Sequence, residues 1–250
     1  EKLDSLLATI RGEEEDDLLR DAVETLVAMA PTPDWVFSEV AAIEDGADLA
    51  PDLTARLLEA ATETGDREPA IELSEAVFDG IAAGNKLSGD SLSADERRLV
   101  GALAECSEEH GVAADYADRL LTGIRESPTE TTAGAVTLLT ELALLPAPAV
   151  GRESVCGELI ATLRATPSGP DGALSRGLKL LAQAEPTLHE RIAAAVLDTG
   201  VLLREGEVAA AALAAAEPTV PGAVADGIGQ LCTAARCLDD ANAEDGVSNV

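Results

Sequence analysis

The chain has 250 residues, with 17 Lys and Arg against 47 Asp and Glu and a formal net charge of −30. A polyanion of this kind is a poor ligand for nucleic acid, where affinity comes from Lys and Arg displacing phosphate counterions, and an anionic membrane surface repels it. Hydrophobic residues at 46% exclude wholesale disorder, while aromatics at 2% leave the core to Leu, Val, Ile and Ala.

Apolar residues recur at helical spacing, and strand-like alternation is absent over any useful length. A first helix is expected from near residue 16, behind the acidic run Glu13 to Asp17, with Leu18, Leu19, Ala22, Val23, Leu26 and Val27 as its stripe. The turn Pro31-Thr32-Pro33-Asp34 leads into a second helix carrying Trp35 and Phe37. Leu53, Leu57, Leu58 and Ala61 mark a third helix from near 51, and Gly65-Asp66 ends it and caps the next, which carries Leu73, Val77, Phe78 and Ile81. The following linker, Gly84 to Ser91, is longer than its sisters and rich in turn formers. It reads as a tolerated insertion, with a partner-contacting loop as the alternative.

Ser93 and Glu96 have capping-box spacing ahead of Leu99, Val100 and Leu103. Val112, Tyr116, Leu120 and Ile124 form the next stripe, and further helices are expected near 129 and 147, the latter with Val155, Leu159, Ile160 and Leu163. A helix near 170 precedes one opened by Thr187 and Glu190, with Leu188, Ile192, Val196 and Leu203. Helices near 206 and 219 complete the series, the last with Val220, Val224, Ile228 and Leu231. Residues 239–250 carry no stripe and read as a flexible acidic tail.

The helices fall into two interleaved series, starting near 16, 51, 92, 129, 170 and 206, and near 33, 66, 112, 147, 185 and 219. Both advance by about 37 residues, within the range of two-helix repeats. Ala184-Glu185-Pro186-Thr187 and Ala216-Glu217-Pro218-Thr219 are near copies, each ahead of a similar apolar pattern. In this architecture the chain resembles the HEAT and armadillo class of repeat proteins over nearly its whole length. The proline of the first HEAT helix, the Asp-then-basic pair and the armadillo asparagine series are not consistently present. The resemblance implies an all-α fold, a right-handed α-solenoid of about six antiparallel helix pairs, as a single domain over 1–238. A plain helical bundle or a tetratricopeptide-like stack is the alternative, although the Trp, Gly and Tyr pattern of the latter is not visible. The composition is similar to that of salt-in halophiles, archaea above all: lysine occurs only at Lys2, Lys86 and Lys179, and molar salt would screen the self-repulsion of so acidic a chain.

No apolar run reaches the roughly 20 residues that span a bilayer, and no signal-peptide pattern opens the chain. Glutamate in second position normally keeps the initiator methionine, so Glu1 reads as an internal position of a longer chain. Cys106, Cys156, Cys232 and Cys237 lack the spacing of a disulfide framework and read as buried thiols in a cytoplasmic setting.

Chemistry-bearing patterns are sparse. Cys106 and His110 share a helix face but lack the companion pair that zinc needs, so no metal or cofactor is expected. His189-Glu190 is a single pair, whereas the HEAT-type di-iron hydroxylases, which are similar in architecture, carry several. HEAT-like DNA glycosylases present a basic groove where this chain would present an acidic one. No Gly-x-Ser-x-Gly elbow or phosphate loop occurs. The acidic runs Glu13-Glu14-Glu15-Asp16-Asp17 and Asp239-Asp240 could hold Mg²⁺, but no second spaced Asp-rich helix faces either, and they read as solvated surface. The residues best suited to contact a partner are Trp35 and Phe37, together with Arg97 and Arg98 beside the long linker. The expected function is a non-enzymatic scaffold or adaptor that binds protein on a concave face formed by the second helix of each pair. The alternative is an enzyme, or enzyme subunit, whose catalytic residues lie in a missing segment or a partner chain.

Overall fold

The computed structural model describes residues 25, 37–38, 51–63, 67–84, 86–87, 89, 92–165, 171–188 and 191–192. Within them lie α1 Pro51–Thr62, α2 Arg67–Ala82, α3 Ala94–Glu109, α4 Ala113–Glu126, α5 Ala133–Leu144, α6 Arg152–Ala165 and α7 Asp171–Ala184. Short 3-10 turns occupy Pro128–Glu130 and Pro186–Leu188, and no strand occurs among the described residues. The fold is all-α there. Thr25, Phe37 and Ser38 are helical; the rest of the expected helix near 16, the expected helices near 206 and 219 and the tail 239–250 lie outside the described residues.

Local chemistry sets the helix ends. Ser93 closes the expected capping box: its hydroxyl accepts from the Glu96 N–H at 3.3 Å, and Glu96 Oε2 accepts from the Ser93 N–H at 2.6 Å. Thr132 caps α5 by accepting from the Ala135 N–H at 3.2 Å. Caps of this type contribute about 1 kcal/mol each. Behind α3, Gly111 adopts a φ of 72°, a left-handed conformation that turns the chain into α4.

Two rows of helices result. α1 packs on α3, α3 on α5 and α5 on α7, while α2, α4 and α6 run alongside as a second row. The first row is the more intimate: α1 and α3 lie together along much of their length, whereas α2 and α4 touch only locally. Its helices bury small residues, Ala55 and Ala61 of α1 and Ala102 and Ala104 of α3 among them. The buried faces of α1, α2, α3, α4 and α6 coincide with the apolar stripes of the sequence.

α5 differs. It touches α2, α3, α4, α6 and α7, and every residue from Ala133 to Thr140 is buried. A helix surrounded on all sides has no polar face and hence no stripe. Its buried hydroxyls bond to their own helix, Thr137 to the Ala133 carbonyl at 2.7 Å and Thr140 to the Val136 carbonyl at 2.8 Å. The linker before α3 is anchored here too. Leu87 has a φ of 58°, is 8% exposed, and its carbonyl accepts from the Gly134 N–H at 3.1 Å. Only glycine fits at 134, because a Cβ would lie 2.7 Å from Leu87 Cβ.

Candidate functional site

The proposed contact residues are placed unevenly. Trp35 lies outside the described residues, and Phe37 is fully enclosed in the core. Arg97, half-buried, donates to the Leu92 carbonyl across the start of α3. Arg98 is exposed and clasps Glu59 of α1 through two bonds, at 2.8 and 2.7 Å.

The nucleophiles and bases are held by packing. His110 ends α3, where its Nε2–H donates to the Ala61 carbonyl at 2.9 Å, tying α3 to α1. Cys106 and Cys156 are buried free thiols. Burial pushes the Cys106 thiol up to about 11, against a hydrogen bond with Thr62 that pulls it down. Burial likewise lifts Cys156 to about 11, opposed by the charge of Arg191. Neither is a thiolate at neutral pH, so neither is an activated nucleophile. Among the described residues no three His, Cys, Asp or Glu side chains are grouped to hold a metal ion, and no helix is long and apolar enough to cross a membrane. His189, Glu190, Cys232 and Cys237 lie outside the described residues.

Four of the described arginines share one use. Arg98 joins α3 to α1 over 39 residues of sequence, Arg119 joins α4 to Asp79 of α2 over 40, and Arg125 joins α4 to Glu158 of α6 over 33. Arg191 reaches Glu153 of α6 over 38. Each pair links a helix to its counterpart about one period away.

The most elaborate of these contacts centres on Arg119. Its guanidinium donates to Glu75 at 2.9 Å and Asp79 at 2.6 Å, and lies 4.4 Å from the centre of the Phe78 ring. Phe78 stacks on Tyr116 with ring centres 4.1 Å apart. The Tyr116 hydroxyl meets Ser74 Oγ at 2.8 Å, and Ser74 in turn donates to the Ile71 carbonyl. Burial raises the Tyr116 hydroxyl far above its ordinary range, the Ser74 bond opposing it.

Beyond Arg119 a cleft of about 280 Å³ opens between the ends of α2 and α4 and the start of α5. Leu120, Ile124 and Ala135 supply apolar surface, and Glu126, Ser127, Glu130 and Thr131 supply its polar lining. Sequence reasoning missed this site, since its residues come from three separate segments without a motif. The available signal is Glu126 itself, an acid at a helix C-terminus, where the dipole disfavours it. In a chain this acidic that signal does not stand out.

Comparison with known proteins finds no counterpart: no protein-family model matches this chain, and neither a curated protein nor a solved structure matches it.

Proposed function

We propose that the chain is a right-handed, HEAT-like α-solenoid of about six antiparallel helix pairs and acts as a non-enzymatic protein-binding scaffold or adaptor. The observation that carries this reading is the stacking order, α1 on α3 on α5 on α7 with α2, α4 and α6 beside them. Such a stack buries each pair against its neighbours and leaves extended rows of helix faces for a partner. Arginine–carboxylate pairs spanning 33 to 44 residues support the same register. The buried thiols and His110 serve packing and capping. Reduced, buried thiols suit a cytoplasmic location, and the charge of −30 supports a halophilic archaeal source.

The partner surface in this proposal is the concave face formed by the second helix of each pair, and the net charge favours cationic polypeptide over nucleic acid or anionic lipid.

The experiment is affinity capture on the immobilised full chain in molar KCl from extract of the source cell, with metal analysis of the same preparation. A polypeptide retained in defined stoichiometry supports the reading. Stoichiometric metal with no retained polypeptide refutes it in favour of a catalytic role.

A further inference from the structure

We propose that the cleft between α2 and α4 seats a lysine side chain of the partner polypeptide, an inference that rests on the protein-binding reading above. Three properties of the cleft select this occupant. The first is charge. The C-terminal ends of α2 and α4 both converge on it, at Ala82 to Gly84 and at Gly123 to Ser127, against the single N-terminus of α5, so two negative dipole ends oppose one positive end and the balance favours a cation. Glu126 and Glu130 line the same space, both are exposed, and neither forms an ion pair among the described residues. Glu59, Glu75, Asp79, Glu153 and Glu158, by contrast, are all engaged by arginine.

The second property is the commitment of the groups that would attract an anion. Arg119, the cation of the lining, is bound to Glu75 and Asp79 and covers Phe78. At the start of α5 the donors are already used: the Gly134 N–H goes to the Leu87 carbonyl, the Ala135 N–H to Thr132 Oγ1 and the Val136 N–H to the Thr132 carbonyl. An anionic ligand would meet two carboxylates and no free donor from these groups.

The third is shape and polarity. Leu120, Ile124 and Ala135 line the cleft together with Glu126 and Glu130, a mixed lining that matches a lysine, whose stem lies against apolar surface while its ammonium meets carboxylates. Thr131 belongs to this lining, and its Oγ1 is the one buried side-chain polar atom among the described residues that has no hydrogen-bond partner.

The test uses the 15N-labelled full chain, titrated with Nα-acetyl-lysine amide and, separately, with Nα-acetyl-norleucine amide. The lysine derivative should give saturable shifts confined to residues 82–84, 119–127 and 130–135, and the norleucine derivative should bind at least about threefold more weakly, as expected for the loss of exposed ion pairs. Glu126→Gln with Glu130→Gln should abolish the preference for lysine. Glu72→Gln with Glu109→Gln, exposed acids outside the cleft, changes the net charge equally and should leave the preference intact. Gly123→Leu should block both ligands, since a Cβ at 123 has open space around it and a larger side chain would fill the cleft. Diffuse, unsaturable shifts, equal binding of norleucine, or equal loss in the control pair would overturn the proposal. The two readings separate cleanly: undiminished partner capture by the Glu126→Gln, Glu130→Gln chain sinks the lysine cleft alone, whereas no captured polypeptide at all sinks the scaffold reading.

Discussion

Replacing Gly134 with alanine tests how the linker before α3 is locked to the central helix. The new Cβ would lie 2.7 Å from Leu87 Cβ, 3.2 Å from Ile81 Cγ2 and 3.3 Å from the Leu87 carbonyl oxygen. Leu87 Cβ is fixed to its backbone, so relief requires the segment at 86–87 to move, stretching the 3.1 Å bond from the Gly134 N–H to the Leu87 carbonyl. Overpacking costs about 1–3 kcal/mol and a weakened hydrogen bond about 1 kcal/mol. The helix-propensity gain of alanine over glycine returns at most about 1 kcal/mol. The net expectation is a loss of about 1–3 kcal/mol. Gly101→Ala is the matched control: a Cβ there meets nothing within 4 Å, so only the propensity gain applies and stability should rise by about 0.5–1 kcal/mol. Thermal and urea unfolding followed by circular dichroism should separate the two variants by about 4–10 °C. Adding Leu87→Gly removes the clashing Cβ and accepts the positive φ, so Gly134→Ala should cost less on that background. A Gly134→Ala chain as stable as wild type, with no coupling to position 87, would refute the reasoning.

Other consequences follow from the same geometry. Tyr116 is the only tyrosine, and its hydroxyl is raised by burial. Unfolded, it ionises near pH 10, so stability is intact below that pH and drains away as pH climbs from there toward the folded value. Absorbance at 295 nm should therefore rise only together with loss of helical signal; ionisation near pH 10 in the intact fold would contradict its burial. Cys106 and Cys156, both held up to about 11, should resist iodoacetamide at pH 8 until the chain unfolds, as peptide mass spectrometry would resolve; prompt labelling of either would count against the packing. Arg119→Met should cost about 1–2 kcal/mol, combining three exposed ion pairs, to Glu75, Asp79 and Asp115, with the contact to Phe78, and most of the ion-pair share should vanish in molar salt. An effect independent of salt would assign the loss to packing alone.

Much of this fold is legible in the sequence because its helices are amphipathic. First-row helices expected near 51, 92, 129 and 170 begin at Pro51, Ala94, Ala133 and Asp171. The Ser93–Glu96 cap is visible as spacing, since both partners sit within one turn. α5 resists the same treatment: enclosed on every side, it has apolar residues all around and shows no period. The linker from Gly84 misleads for another reason. Its turn-forming residues suggest solvent exposure, yet Lys86 and Leu87 are each 8% exposed, and the space that accepts Leu87 exists only because position 134, 47 residues away in sequence, is glycine. The cleft is hidden likewise, since Glu126, Thr131 and Ala83 become neighbours only once α2, α4 and α5 have packed.

The distance between α1 and α7 tests the stacked arrangement most directly. Nitroxide labels at Arg56→Cys and Lys179→Cys, both exposed positions, with Cys232 and Cys237 replaced by serine, would report it by pulsed dipolar spectroscopy. Three successive helix contacts at 8–10 Å each place the two helix axes roughly 24–30 Å apart, and the account predicts a single distribution centred near or above that span. A distribution centred below about 15 Å, as helices gathered around one common centre would give, would contradict it.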